Sequence, residues 1–98
     1  MKLAKVIGNV IATQRAGMHG NMKLLIVRYL DVDLKPIDKT AVCVDTVSAR
    51  SGDVVLTCSS SSARKTAATR HVCTDTAIVS IVELVTENGT DIYNRDSQ

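Results

Sequence analysis

Apolar and polar positions alternate with a period of two along most of this chain, and no long helix is indicated anywhere. Residues 3–13 read as a first strand, with Ala4, Val6, Gly8, Val10 and Ala12 on one wholly apolar face. Leu3, Lys5, Ile7, Asn9 and Ile11 form the mixed face, and Gly8 in mid-strand points to a bend or a close backbone contact. Residues 14–21, with Gly17 and Gly20, are a loop. Residues 23–30 read as a second strand, apolar on both faces at Leu24, Leu25, Ile26 and Val27. A small barrel interior covers only one of those faces, so a neighbouring subunit is expected to cover the other. Residues 31–39, holding Pro36 and three aspartates, read as the connection to the third strand.

The centre of the chain is the most patterned part. Val42, Val44 and Thr46 alternate with Cys43, Asp45 and Val47, and a second short strand follows at Val54, Val55 and Leu56. Ser51-Gly52-Asp53 joins them, since Gly52 accepts the positive φ that a β-branched residue resists. After Ser59 and Ser60, Ser61 or Ser62 suits the N-cap of one or two helical turns through Ala63, Arg64 and Lys65. Residues 65–75 are polar and read as irregular. A fifth strand is expected over 77–85, and Glu87-Asn88-Gly89-Thr90 is a hairpin signal, because Asn-Gly favours the type I′ turn. Residues 90–93 then return as a short strand, and 94–98 read as a frayed tail. These elements predict an all-β protein, residues 1–98 forming one domain: a small five-stranded OB-like barrel with one short helical turn and a C-terminal hairpin.

Composition narrows the interior. Ninety-eight residues leave room for one core, and the apolar 45% contains no Phe, no Trp and only Tyr29 and Tyr93. Valine, isoleucine, leucine and alanine must therefore fill it, which suits a narrow barrel. Twelve basic and ten acidic residues give a net charge of +2, too even to argue for a polyanion partner. OB barrels that bind single strands stack bases on aromatics in a basic groove, but the two tyrosines lie far apart in sequence. Arg50, Arg64, Lys65 and Arg70 are the candidates for a basic cluster, and solvated surface charge accounts for them equally. An OB-type single-stranded nucleic-acid-binding module stands as the alternative function.

Enzyme chemistry finds no recognisable signature. His19 and His71 fall in expected loops, and His71 with Cys73 would face the same way in an extended chain. Cys43, Cys58 and Cys73 are odd in number, lack the close spacing of a metal site and sit among apolar or small residues, so buried reduced thiols are expected. Asp45, Asp53 and Asp75 border strands, where an acid ends a sheet, caps a turn or meets an arginine. No catalytic residue, cofactor or metal is expected. No apolar run exceeds four residues, which argues against a membrane span, and residues 1–5 lead into no signal-peptide core, so a cytoplasmic location is expected.

Several blocks in order resemble the EutN/CcmL family, the pentameric vertex proteins of bacterial microcompartment shells. The opening through Gly8, Val10, Ala12 and Thr13 is similar to the family's G-x-V-x-A-T run, and Lys23-Leu24-Leu25-Ile26-Val27 to its second strand. Asp45-Thr46-Val47, Gly52-Asp53 with Val55-Leu56, Ser61-Ser62-Ala63-Arg64 and Asp75-Thr76-Ala77-Ile78-Val79 follow in the family order. Where the family often has glycine, Ser48, Arg50, Ser60 and Ser80 stand here, and Cys73-Thr74 replaces a proline. The resemblance implies a structural role: a homopentamer closing shell vertices, with hexameric shell proteins as neighbours and no nucleic-acid partner. It also places Ser61, Ser62 and Arg64 near the five-fold axis, although the same serines suit a plain helix cap.

Overall fold

The computed structural model describes residues 1–11, 23–59 and 76–97. Five strands close a barrel in the order β1-β2-β3-β5-β4: β1 Lys2–Val10, β2 Lys23–Leu30, β3 Pro36–Asp45, β4 Val54–Ser59 and β5 Thr76–Ile81. All neighbours are antiparallel except β3 and β5, which run parallel at Val44↔Ala77 and Asp45↔Ile78. β6 Leu84–Glu87 and β7 Thr90–Asn94 form a separate two-stranded sheet, followed by a 3-10 turn at Arg95–Ser97. This is the OB-like barrel with a C-terminal hairpin that the patterning predicts. The helical turn expected after Ser61 and the irregular segment 65–75 lie outside the described residues.

The barrel interior is filled by short aliphatic side chains, as the composition requires. Val6, Val27, Val55 and Ile78 are fully buried with Ala4, Cys43 and Ala49, and Leu25 and Tyr29 complete the cluster. Tyr29 is 6% exposed and lies beneath the ammonium groups of Lys2 and Lys39, 5.3 and 5.8 Å from its ring centroid.

Four features differ from expectation, each for a local reason. The alternation in β1 breaks at a bulge between Val6 and Gly8, where Ile7 is the extra residue. Ala4 and Val6 therefore point inward, while Gly8 and Val10, expected on the same face, sit on the outside opposite Ile26 and Leu24. β3 begins at Pro36, because Asp31 closes the preceding turn: its Oδ1 accepts the Asp33 and Lys35 amides at 2.9 Å each. The expected fifth strand is two: it ends at Ile81, and a new strand starts at Leu84 after the Val82 amide bonds the Val54 carbonyl at 2.8 Å. The frayed tail is replaced by the Arg95–Ser97 turn, which is fixed by charge.

Two turns were legible from their residues. Gly52 has φ +93° between β3 and β4, and Asn88 and Gly89 have φ +54° and +77° at the hairpin tip, the pair of positive values of a type I′ turn.

Candidate assembly surface

The register of β1, β2 and β3 lays three rows across the outer wall of the barrel. Lys5, Arg28 and Thr40 form the first, Gly8, Ile26 and Val42 the second, and Val10, Leu24 and Val44 the third. The third row is covered within the chain: Leu24 is 7% exposed and Val44 fully buried, with Val10 packed on them. Thus the second face of β2, expected to need a neighbour, is in part hidden already. The middle row is open. Val42 is 51% exposed, Ile7 in the adjoining bulge is 46% exposed, and Ile26 is half-buried beside the bare backbone of Gly8.

The hairpin lies on the side of the barrel near the β3–β4 turn, and Arg95 holds it there. Its Nε donates to Asp53 Oδ1 at 3.2 Å, its guanidinium also reaches Glu83 at 3.6 Å, and its backbone amide bonds the Glu83 carbonyl at 2.9 Å. Asp53 also accepts the Arg50 amide at 2.9 Å. Burial pushes the Asp53 carboxyl upward, but the Arg50 amide and the Arg95 guanidinium outweigh it and hold the group below its ordinary value. Tyr93 faces the barrel across a groove of about 190 Å³ lined also by Lys5, Ile7, Arg28, Leu30 and Val54. At the tip, Glu87 is pushed above its ordinary value by a hydrogen bond to Asp33 and by the negative charge of Asp33 and Asp31. Leu84, 51% exposed, and Ile92, 38% exposed, remain open.

The remaining sequence candidates scatter. Cys43 is buried, and burial pushes its thiol up to about 11, so it is inert; Cys58 is only half-buried, because it faces outward opposite Ala77. Cys73, His19, His71 and the five-fold-axis candidates Ser61, Ser62 and Arg64 lie outside the described residues. Asp45 and Asp53 do what strand-border acids do. Asp45 Oδ1 accepts the Val47 amide at 3.0 Å and Lys23 Nζ lies 3.8 Å from Oδ2, which is buried without a hydrogen bond. The two tyrosines make no joint stacking platform, since Tyr29 fills the interior and Tyr93 faces the groove. What sequence reasoning missed is the Arg95–Asp53 pair, 42 residues apart, for which no spacing rule exists.

The family profile described as ethanolamine utilisation protein EutN/carboxysome matches residues 1–83. The chain belongs to the EutN/CcmL family. It is 41% identical to the bacterial microcompartment shell vertex protein GrpN of Rhodospirillum rubrum over 85 residues, 87% of this chain and 96% of that one. It is 34% identical to the shell vertex protein EutN of Escherichia coli K12 over 95 residues, 97% of this chain and all of that one. Among solved structures, an EutN chain superposes with a TM-score of 0.90 at 34% identity, covering 97% of this chain and 99% of that one. The structure described as the GrpN pentameric microcompartment shell protein from R. rubrum superposes with a TM-score of 0.78 at 41% identity, covering 89% and 99%. One departure from the EutN/CcmL pattern acquires a physical meaning: Ser48 has φ +61°, a conformation in which the family's glycine is unstrained and serine is not.

Proposed function

We propose that this chain is a structural vertex protein of a bacterial microcompartment shell, located in the bacterial cytoplasm, and that five copies form the ring that closes each vertex. The observation that carries the reading is its 41% identity, over nearly all of both chains, to a vertex protein whose structure is described as pentameric. The role is mechanical rather than catalytic, and residues 1–98 act as one vertex domain. Flat six-fold tiles cover a plane, and a five-fold unit at intervals lets the sheet close, so hexameric shell proteins are its neighbours.

Several strand ends meet at one end of the barrel. Val10 pairs with Leu24, Lys23 with Asp45 and Ser59 with Thr76, so residues 11, 23, 59 and 76 all meet at that end. Ser61, Ser62 and Arg64 follow Ser59 in the chain, and the likeness of Ser61-Ser62-Ala63-Arg64 to the family's block is what supports siting them near the five-fold axis. Five copies of Arg64 there would attract anions.

Native mass spectrometry tests the assembly. The expected mass is five times 10.5 kDa, unchanged on dilution from micromolar to nanomolar concentration. A stable monomer with salt-sensitive affinity for single strands would instead establish the nucleic-acid module.

A further inference from the structure

We infer that the ring is held head to tail, the open face of the β6–β7 hairpin of one copy packing on the Ile7–Ile26–Val42 wall of the next. This rests on the pentameric reading above and goes beyond it by naming the two surfaces. A five-fold ring is built from heterologous contacts, so each copy must offer two different surfaces that fit one another.

The charges of the two surfaces are opposite. On the wall, β1 and β2 present Lys5 and Arg28 and no acid, whereas residues 84–94 carry Glu87 and Asp91 and no base. Each surface is also unfavourable by itself. Lys5 and Arg28 are direct cross-strand partners, and like charges in that position repel. Among the described residues the only carboxylate within ion-pair reach of Arg28 is Asp38, fully exposed and 3.9 Å away. At the hairpin tip the imbalance is reversed, with Glu87 set against Asp33 and Asp31. The open face of the hairpin carries Asp91, exposed opposite Thr86, and bringing that face to the basic wall of the next copy gives Lys5 and Arg28 a carboxylate.

The apolar groups correspond in the same way. Strand alternation puts Val85 and Tyr93 on one face of the hairpin, half-buried, and leaves Leu84 on the opposite face with Thr86 and Asp91. Ile92 is the extra residue of the β7 bulge. Leu84 and Ile92 therefore present an apolar pair beside a carboxylate, facing away from their own barrel, and Ile7, Ile26 and Val42 present an apolar shelf beside two cations. Lys5 and Arg28 lie toward the end of the barrel where the hairpin is latched, away from the end that meets residues 11, 23, 59 and 76.

Two outward substitutions test the contact, Val42→Arg on the wall and Leu84→Arg on the hairpin. Both side chains are half exposed, so each variant keeps its barrel, as circular dichroism will verify. Each alone is expected to run as a monomer at concentrations where the wild type runs as a pentamer. An equimolar mixture is expected to give a dimer of twice 10.5 kDa and nothing larger, because the intact hairpin of one variant fits the intact wall of the other. Arg28→Glu is expected to weaken the ring, and adding Asp91→Lys to restore it. Either arginine variant holding the wild-type ring down to nanomolar concentration, or a mixture that stays monomeric, overturns the inference. A wild type that is not pentameric at all counts instead against the vertex reading.

Discussion

The barrel and the hairpin of this chain are held by different forces. The barrel closes on itself, so every strand has two paired neighbours and shares one aliphatic core running from Ala4 to Ile78. The hairpin pairs only with itself and is tied to the rest through the Arg95–Asp53 pair, a backbone bond from the Val82 amide to the Val54 carbonyl and the packing of Tyr93. An isolated two-stranded hairpin is marginal in water, so its position depends on a few polar contacts rather than on a core. A region fixed in that way can be displaced without unfolding the molecule, which suits a surface meant to meet another copy.

The largest effect that separates the two regions is a cavity in the barrel. Among the described residues Ile78 is the largest side chain that is fully buried, and Ile78→Ala is expected to cost about 2–5 kcal/mol in urea denaturation. An exposed hairpin position such as Thr90, changed to alanine, should stay within about 0.5 kcal/mol of wild type. Equal losses at the two positions would mean that barrel and hairpin form one cooperative core, and the contrast drawn here would fail.

The same division governs what could be read from sequence. β2 was legible to the residue, because continuous apolar patterning and its flanks are local signals. The hairpin tip was legible for a similar reason, since Asn88-Gly89 dictates its own turn. The inside-outside assignment of β1 was not, because a one-residue bulge at Ile7 inverts every later position and Gly8 signals an irregularity without saying which residue is extra. The start of β3 at Pro36 was hidden by three aspartates that look like loop, although Asp31 alone makes the turn. The assembly wall follows from patterning at Ile26 and Val42 only once the register is known. The latch at Arg95 depends on a contact made by the finished fold, and nothing in the order of residues announces it.

A second and smaller effect isolates that latch. Arg95→Ala removes both ion pairs and leaves the barrel core untouched, so the denaturation midpoint of the barrel should move little. The amides of residues 84–94 should exchange several-fold faster with solvent in the same variant. Unchanged exchange in the hairpin would show that Tyr93 packing, and not the ion pair, holds it.

The smallest effect is a pH dependence confined to the hairpin, and the two carboxyls that set it act in opposite directions. Glu87 has a folded pKa above its ordinary value of 4.5, so the folded hairpin binds that proton more tightly than the unfolded chain does. Docking therefore gains as pH falls from 7 through the folded value, and the gain is complete below 4.5. Asp53 has a folded pKa below its ordinary value of 3.8, so its contribution is present above 3.8 and is lost as pH falls through the folded value. Attachment should consequently pass through a maximum in the mildly acidic range, between the two titrations. The measurement belongs on the monomeric Val42→Arg variant, where no cation of a neighbouring copy reaches Glu87. Amide protection of residues 84–94, corrected for intrinsic exchange, should rise and then fall on acidification. Glu87→Gln should abolish the rising limb by removing the charge that Asp33 and Asp31 oppose, and leave the falling limb in place. Protection that only declines from pH 7 downward would show that the carboxyl contact at the tip has no influence on where the hairpin sits.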